Sequence, residues 1–161
     1  KTVTGGSKPV LIISGSVKTV TYEQIEGLKT EKGVLDVPID FEGNRVEIPD
    51  AKNAKHILIY PKRSYQRFDP EKIIGVLVRL ATGLCKGGLF RNLILIGGDT
   101  AFTICRALRI DTFQIISSIS PGIAFCQSLD GEYNFILKSG SLGDKEALIK
   151  CLQFFDHSRS S

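Results

Sequence analysis

Methionine is absent from the whole chain, position 1 included. A natural start leaves a methionine unless it is processed away, and residues 1–9 (KTVTGGSKP) read as a linker entering a strand. The expectation is therefore a fragment: an excised domain, or the ordered part of a longer chain. Histidine occurs only at His56 and His157, and the four cysteines (Cys85, Cys105, Cys126 and Cys151) form no C-x-x-C pair. Those absences argue against a zinc site, a redox motif and a Cys–His nucleophile pair. The cysteines read as buried small hydrophobes in a reducing cytoplasm. Basic runs are missing too. The 21 Lys and Arg against 17 Asp and Glu give a net charge of only +4, spread along the chain. A nucleic-acid footprint needs clustering, so no nucleic-acid partner is expected, and an anionic small molecule suits the excess equally well. No apolar signal segment opens the chain, and its longest apolar stretch, residues 73–84, is interrupted by Arg79 and too short to span a bilayer. The expected protein is soluble and cytoplasmic, with no membrane partner. Repeats and low-complexity tracts are also lacking.

What is present suits one α/β domain over residues 1–161. A length of 161 residues with 42% hydrophobic content is enough for a single core. Short continuous apolar runs at residues 10–13, 56–60 and 93–96 read as strands buried on both faces. Further strands are expected at residues 33–39, 113–120 and 133–138, with Pro38, Gly43 and Pro49 marking turns or an edge and Pro121-Gly122 breaking the fifth. Thr21 and Gln24 read as a capping box opening a helix to about Lys29. Asp69-Pro70 opens the longest helix, which Gly87-Gly88 stops. Two more helices are expected, over residues 101–108 and from Asp144 to about Phe155, before a polar tail at residues 158–161. Strands alternating with helices predict a layered α/β fold with a largely parallel central sheet flanked by helices.

Three loops of small residues each follow an apolar strand: Ser14-Gly15-Ser16, Gly97-Gly98-Asp99-Thr100 and residues 139–143 (SGSLG). In open α/β sheets, ligands sit outside the carboxyl ends of the strands, where these loops lie. Glycine allows close backbone approach, free N–H groups at a helix start favour an anion, and Ser and Thr hydroxyls add donors. Lys138, just before the third loop, adds a point charge. A carboxylate such as Asp99 at a phosphate site calls for a cation, and one reading of it is a Mg²⁺ ligand acting through water. Asp99 suits equally an N-cap for the following helix, as does Thr100. No G-x-x-x-x-G-K-[ST] and no spaced G-x-G-x-x-G occurs, which argues against P-loop and standard dinucleotide-binding folds.

In order along the chain, residues 10–21 (VLIISGSVKTVT), 95–100 (LIGGDT), 120–128 (SPGIAFCQS) and 138–144 (KSGSLGD) resemble the C-terminal nucleotide-binding domain of the four-carbon acid sugar kinases, once classed as a domain of unknown function. The likeness runs from about Val10 to Phe155. It implies an N-terminal acceptor-binding domain, absent here, joined to this one. ATP with Mg²⁺ and a four-carbon acid such as threonate, erythronate or an oxo-tetronate would share the cleft between them. The reaction would transfer the γ-phosphate to the acid's terminal hydroxyl. The nucleotide contacts fall on Ser14 or Ser16, on Gly97, Gly98, Asp99 and Thr100, and on Gly140 or Gly143. The general base is expected in the absent domain, and a homodimer is a further expected association. Three departures stand out: Ala124 where the family often has proline, Ser141-Leu142 for Asn-Phe, and Ala101-Phe102 for Ser-Gly. The last puts a bulky ring near the phosphate turn and throws close approach of the helix into question.

Two other readings are open from the residues. Those departures suit a non-catalytic nucleotide- or ligand-sensing module of the same fold. Residues 97–100 also resemble the G-G-D-G-T turn of NAD kinases and lipid kinases, although the glycine after the aspartate is missing because Thr100 follows Asp99 directly.

Overall fold

The computed structural model describes residues 8–41, 48, 54–63 and 69–157. The linker at residues 1–7, the turns at Gly43 and Pro49, and the polar tail at residues 158–161 lie outside the described residues. Among the described residues, seven strands form one sheet: β1 (Val10–Ser14), β2 (Val34–Ile39), β3 (His56–Pro61), β4 (Asn92–Ile96), β5 (Phe113–Ser120), β6 (Ile123–Ser128) and β7 (Asn134–Lys138). Their spatial order is β2-β3-β1-β4-β7-β6-β5. The first five in that order run parallel, while β6 and β5 pair antiparallel at one edge.

Period-two alternation explains the layers. Leu11, Ile13, Ile57, Ile59, Leu93 and Leu95 face helices α2 (Pro70–Cys85) and α3 (Gly98–Ala107). Val10, Ile12, Leu58, Ile94, Ile96 and Ile136 face α1 (Thr19–Leu28) and α4 (Ala147–His157). The central strands are apolar throughout because both faces are covered, as parallel sheets require. Among the described residues, no helix is long and apolar enough to cross a membrane.

The long helix starts as expected: the Asp69 carboxylate accepts from the Glu71 N–H at 3.0 Å, and Pro70 occupies the first turn. Four sequence expectations need correction. Pro121-Gly122 ends β5 as expected, with Gly122 at φ 78°, but as a hairpin turn that leads into the unexpected strand β6. Helix α3 begins at Gly98 rather than near Ala101, because Gly97 at φ 100° turns the chain into the helix at once. Neither Asp99 nor Thr100 is then its N-cap; both lie in its first turn. Thr21 and Gln24 form no capping box, since α1 begins at Thr19 and the cap position, Lys18, makes no side-chain bond. Asp144 stands three residues before α4, where its carboxylate accepts from the Glu146 N–H at 3.0 Å.

Candidate functional site

Strands β1, β4 and β7 are adjacent and in register, with Ser14 opposite Ile96 and Ile96 opposite Lys138. Their carboxyl ends therefore release the three small-residue turns side by side. Backbone bonds tie these turns laterally: Gly15 N–H donates to the Ile96 carbonyl and Gly97 N–H to the Lys138 carbonyl, both at 3.0 Å.

Packing draws the turns closer still. A Cβ at Gly15 would overlap Thr100 Oγ1 and lie 2.9 Å from Thr100 Cβ, so the first turn rests directly on the first turn of α3. A Cβ at Gly140 would overlap Ser16 Oγ and lie 2.8 Å from Ser16 Cβ, so the third turn rests on the first. Gly143, at φ 95°, passes where a Cβ would come 2.7 Å from that of Ala147. Gly15, Gly97 and Gly140 thus lie against neighbouring turns, whereas Gly143 lies against Ala147 and the Gln24 amide and an added Cβ at Gly98 would meet nothing.

The side chains divide into those that face outward and those that hold the turns. Gly98 and Asp99 are exposed at the start of α3. The N–H groups of Gly98, Asp99 and Thr100 belong to the first turn and have no intrahelical acceptor. The helix dipole adds positive potential there. Thr100, by contrast, is buried beneath Gly15. Ser14 and Ser16 are buried as well: Ser14 Oγ accepts from the Ser16 N–H at 3.2 Å, and Ser16 Oγ lies 2.8 Å from Thr21 Oγ1. Thr21 Oγ1 in turn donates to the Gly140 carbonyl at 2.8 Å. From the next turn of α1, Gln24 Nε2 donates to the carbonyls of Leu142 (3.1 Å) and Asp144 (2.9 Å).

Lys138 is only 3% exposed, and its ammonium donates to the Ser139 carbonyl at 2.7 Å. No carboxylate lies within ion-pair distance of it among the described residues. Burial holds its pKa below the ordinary lysine value, with the Cys151 sulfur acting in the opposite direction. A buried cation without a counter-charge is unfavourable, and an anion at the mouth of the turns would relieve it.

Beside Gly97 and Gly98 opens a cleft of about 820 Å³, walled mainly by Phe102, Ile110, Phe113, Ala124 and Leu137. Phe102 is 64% exposed and forms part of this wall, with the Arg106 guanidinium 5.7 Å from its ring centroid. The ring expected to crowd the phosphate turn thus lines the neighbouring cleft. Sequence reasoning missed Phe113 and Leu137 as site residues. The one available signal was Phe102 and Arg106 at i,i+4 on a helix that opens at the glycine turn. Leu142 folds over Gly122, where an added Cβ would overlap its Cδ1, and so closes the hairpin against the third turn. Among the described residues, no group of three His, Cys, Asp or Glu side chains could enclose a metal ion. A lone exposed carboxylate such as Asp99 suits Mg²⁺, which keeps several waters and takes its other ligands from phosphate oxygens.

Residues 11–148 match the family described as nucleotide-binding C-terminal domain. Curated relatives include a 3-oxo-tetronate kinase of Salmonella typhimurium, 36% identical over 76 residues that cover 47% of this chain and 18% of that protein. A second 3-oxo-tetronate kinase, from Brucella melitensis, is 26% identical across 83% of this chain and 35% of its own length. Among solved structures, a domain of unknown function from Bordetella bronchiseptica, crystallised with citrate as a domain-swapped dimer, superposes with a TM-score of 0.76 at 18% identity, covering 92% of this chain and 41% of that one. A Haemophilus influenzae protein gives 0.72 at 20% identity, covering 94% and 41%. These likenesses bear on the fold. The chain spans less than half the length of each of these relatives.

Proposed function

The chain belongs to the nucleotide-binding C-terminal domain family, and from that premise we propose that its three converging turns hold the phosphates of ATP in a sugar-acid kinase. The observation that carries this is Lys138, a buried ammonium bonded to the Ser139 carbonyl of the third turn, with no carboxylate partner among the described residues. A phosphate placed there would gain its charge, the first-turn N–H groups of α3 and the helix dipole together. Gly97 and Gly98 let the backbone approach the phosphates closely, and Gly140 and Gly143 shape the facing turn. Ser14, Ser16 and Thr100 act from beneath, bracing the turns. The apolar cleft beside Phe102 and Phe113 takes the base and ribose, since aromatic faces stack on any nucleobase. Asp99 would hold Mg²⁺, which would offset the negative charge of the phosphates during transfer.

Phosphoryl transfer depends on positioning and charge more than on covalent chemistry, so these groups suffice for the donor side. The acceptor is a four-carbon sugar acid such as threonate, erythronate or an oxo-tetronate. The terminal hydroxyl of that acid and the general base would approach from the acceptor-binding domain that the family resemblance implies, and a homodimer is the proposed assembly.

Calorimetric titration of the 161-residue chain tests the proposal. ADP and ATP should bind weakly, more tightly with Mg²⁺, and Asp99→Asn should remove the Mg²⁺ effect while leaving metal-free ADP binding in place. The chain alone should phosphorylate neither threonate nor erythronate. Absence of binding at millimolar ADP and Mg²⁺ would refute the nucleotide assignment, and robust turnover by the chain alone would refute the division of labour.

A further inference from the structure

Thr21 and Gln24 are both fully buried, three residues apart on one face of α1, and both reach a turn nearly 120 residues away in sequence. The directions of their hydrogen bonds are fixed by chemistry. The Gly140 carbonyl can only accept, so the single hydroxyl proton of Thr21 goes to it. In the 2.8 Å contact between Ser16 Oγ and Thr21 Oγ1, the donor is then Ser16. A relay runs from Ser16 through Thr21 to Gly140, and the Ser16 hydroxyl proton is committed to it. One turn later the amide of Gln24 takes two more carbonyls, those of Leu142 and Asp144. Its Oε1 is buried with no donor among the described residues, so those two bonds to the turn hold the side chain.

These bonds have a consequence for the opposite side of each peptide. No cis peptide bond occurs in the described chain. In a planar trans peptide, the N–H of the following residue points away from the C=O. With the Gly140 carbonyl turned toward Thr21, the N–H of Ser141 faces away from α1. With the Leu142 carbonyl turned toward Gln24, the N–H of Gly143 does the same. Neither N–H has an acceptor among the described residues.

We propose that Thr21 and Gln24 are positioning residues that set the third turn for an anion, by pinning its carbonyls so that the Ser141 and Gly143 amides face outward. This rests on the nucleotide assignment above and adds to it a fixed device on α1 that touches no ligand. Glycine at 140 and 143 follows from the same device, since a side chain at either would displace the relay or the Gln24 amide.

The test is ADP affinity of the 161-residue chain with Mg²⁺, measured by calorimetry alongside thermal melts. Thr21→Val keeps the shape and removes the relay; it should weaken ADP at least tenfold. Thr21→Ser restores the hydroxyl and should bind within about threefold of the parent. Gln24→Met, a different break in the same device, should also weaken ADP tenfold. Ile25→Val in the core of α1 controls for stability: it should lower the melting temperature and leave ADP affinity alone. If Thr21→Val does not fold, Gln24→Met against Ile25→Val decides. Thr21→Val or Gln24→Met binding ADP within twofold of the parent would overturn the proposal, as would Thr21→Ser failing to rescue. A parent chain that binds no ADP would instead sink the nucleotide assignment and this inference with it.

Discussion

Gly15→Ala probes whether the first two turns touch. The added methyl would overlap Thr100 Oγ1 and come within 2.9 Å of Thr100 Cβ and 3.3 Å of its Cγ2. Thr100 cannot retreat, because it is buried and fixed in the first turn of α3. Overpacking a fixed site costs about 1–3 kcal/mol, and this one sits near ~3 kcal/mol. For a chain of this size that lowers Tm by roughly 6–12 °C. Thr100→Gly alone removes a buried side chain and adds a glycine to a helix, about 2 kcal/mol together. If the sites were independent, the double variant would lose about 5 kcal/mol, since distant sites add to within ~0.5 kcal/mol. In contact, Thr100→Gly clears the space for the methyl, and the double variant should lose only about 2 kcal/mol, a coupling of about 3 kcal/mol. Urea unfolding followed by circular dichroism measures all four proteins, with an unchanged m-value required for the comparison. Additivity within ~0.5 kcal/mol, or a Gly15→Ala variant as stable as the parent, would refute the contact on which the site depends.

Three further outcomes are expected. Lys138→Met should raise or preserve stability while abolishing ADP binding, because an apolar isostere relieves a buried, uncompensated charge. Burial lowers the native pKa of Lys138, so the unfolded chain holds that proton longer; parent stability should therefore rise with pH between the native value and 10.5, and urea melts of Lys138→Met should lack that component. The thiols act with the opposite sign: burial raises Cys85, Cys105 and Cys151 to about 11, so their contribution is full below pH 9.0 and lost as pH climbs toward 11. Thiol labelling at pH 8 should accordingly be slow in the native chain and complete for all four cysteines in urea. Phe102→Ala should leave stability within about 0.5 kcal/mol, since the ring is 64% exposed, yet weaken ADP severalfold without changing the affinity for pyrophosphate.

Much of the fold was legible because its central strands are buried on both faces. Runs such as VLII and LILI have no other stable place in a chain of this size, and the small residues after them mark the ends of those strands. Strand β6 was not legible. Its residues IAFCQS carry weak alternation, and they hold their place by pairing with β5 on one side and β7 on the other.

The sequence by itself determined the composition of the candidate site: which turns carry glycine, which residue carries the carboxylate and which the lysine. Hydrophobic burial and glycine's conformational freedom act locally, so they leave a local trace. Only the tertiary structure decided that Lys138 has no counter-charge among the described residues, that Phe102 walls a cleft, and that Thr21 and Gln24 bond a turn nearly 120 residues away rather than cap their own helix. Hydrogen bonds to a distant carbonyl leave no spacing to read, because partner and geometry exist only once the sheet order places β7 beside β4 and the third turn above α1.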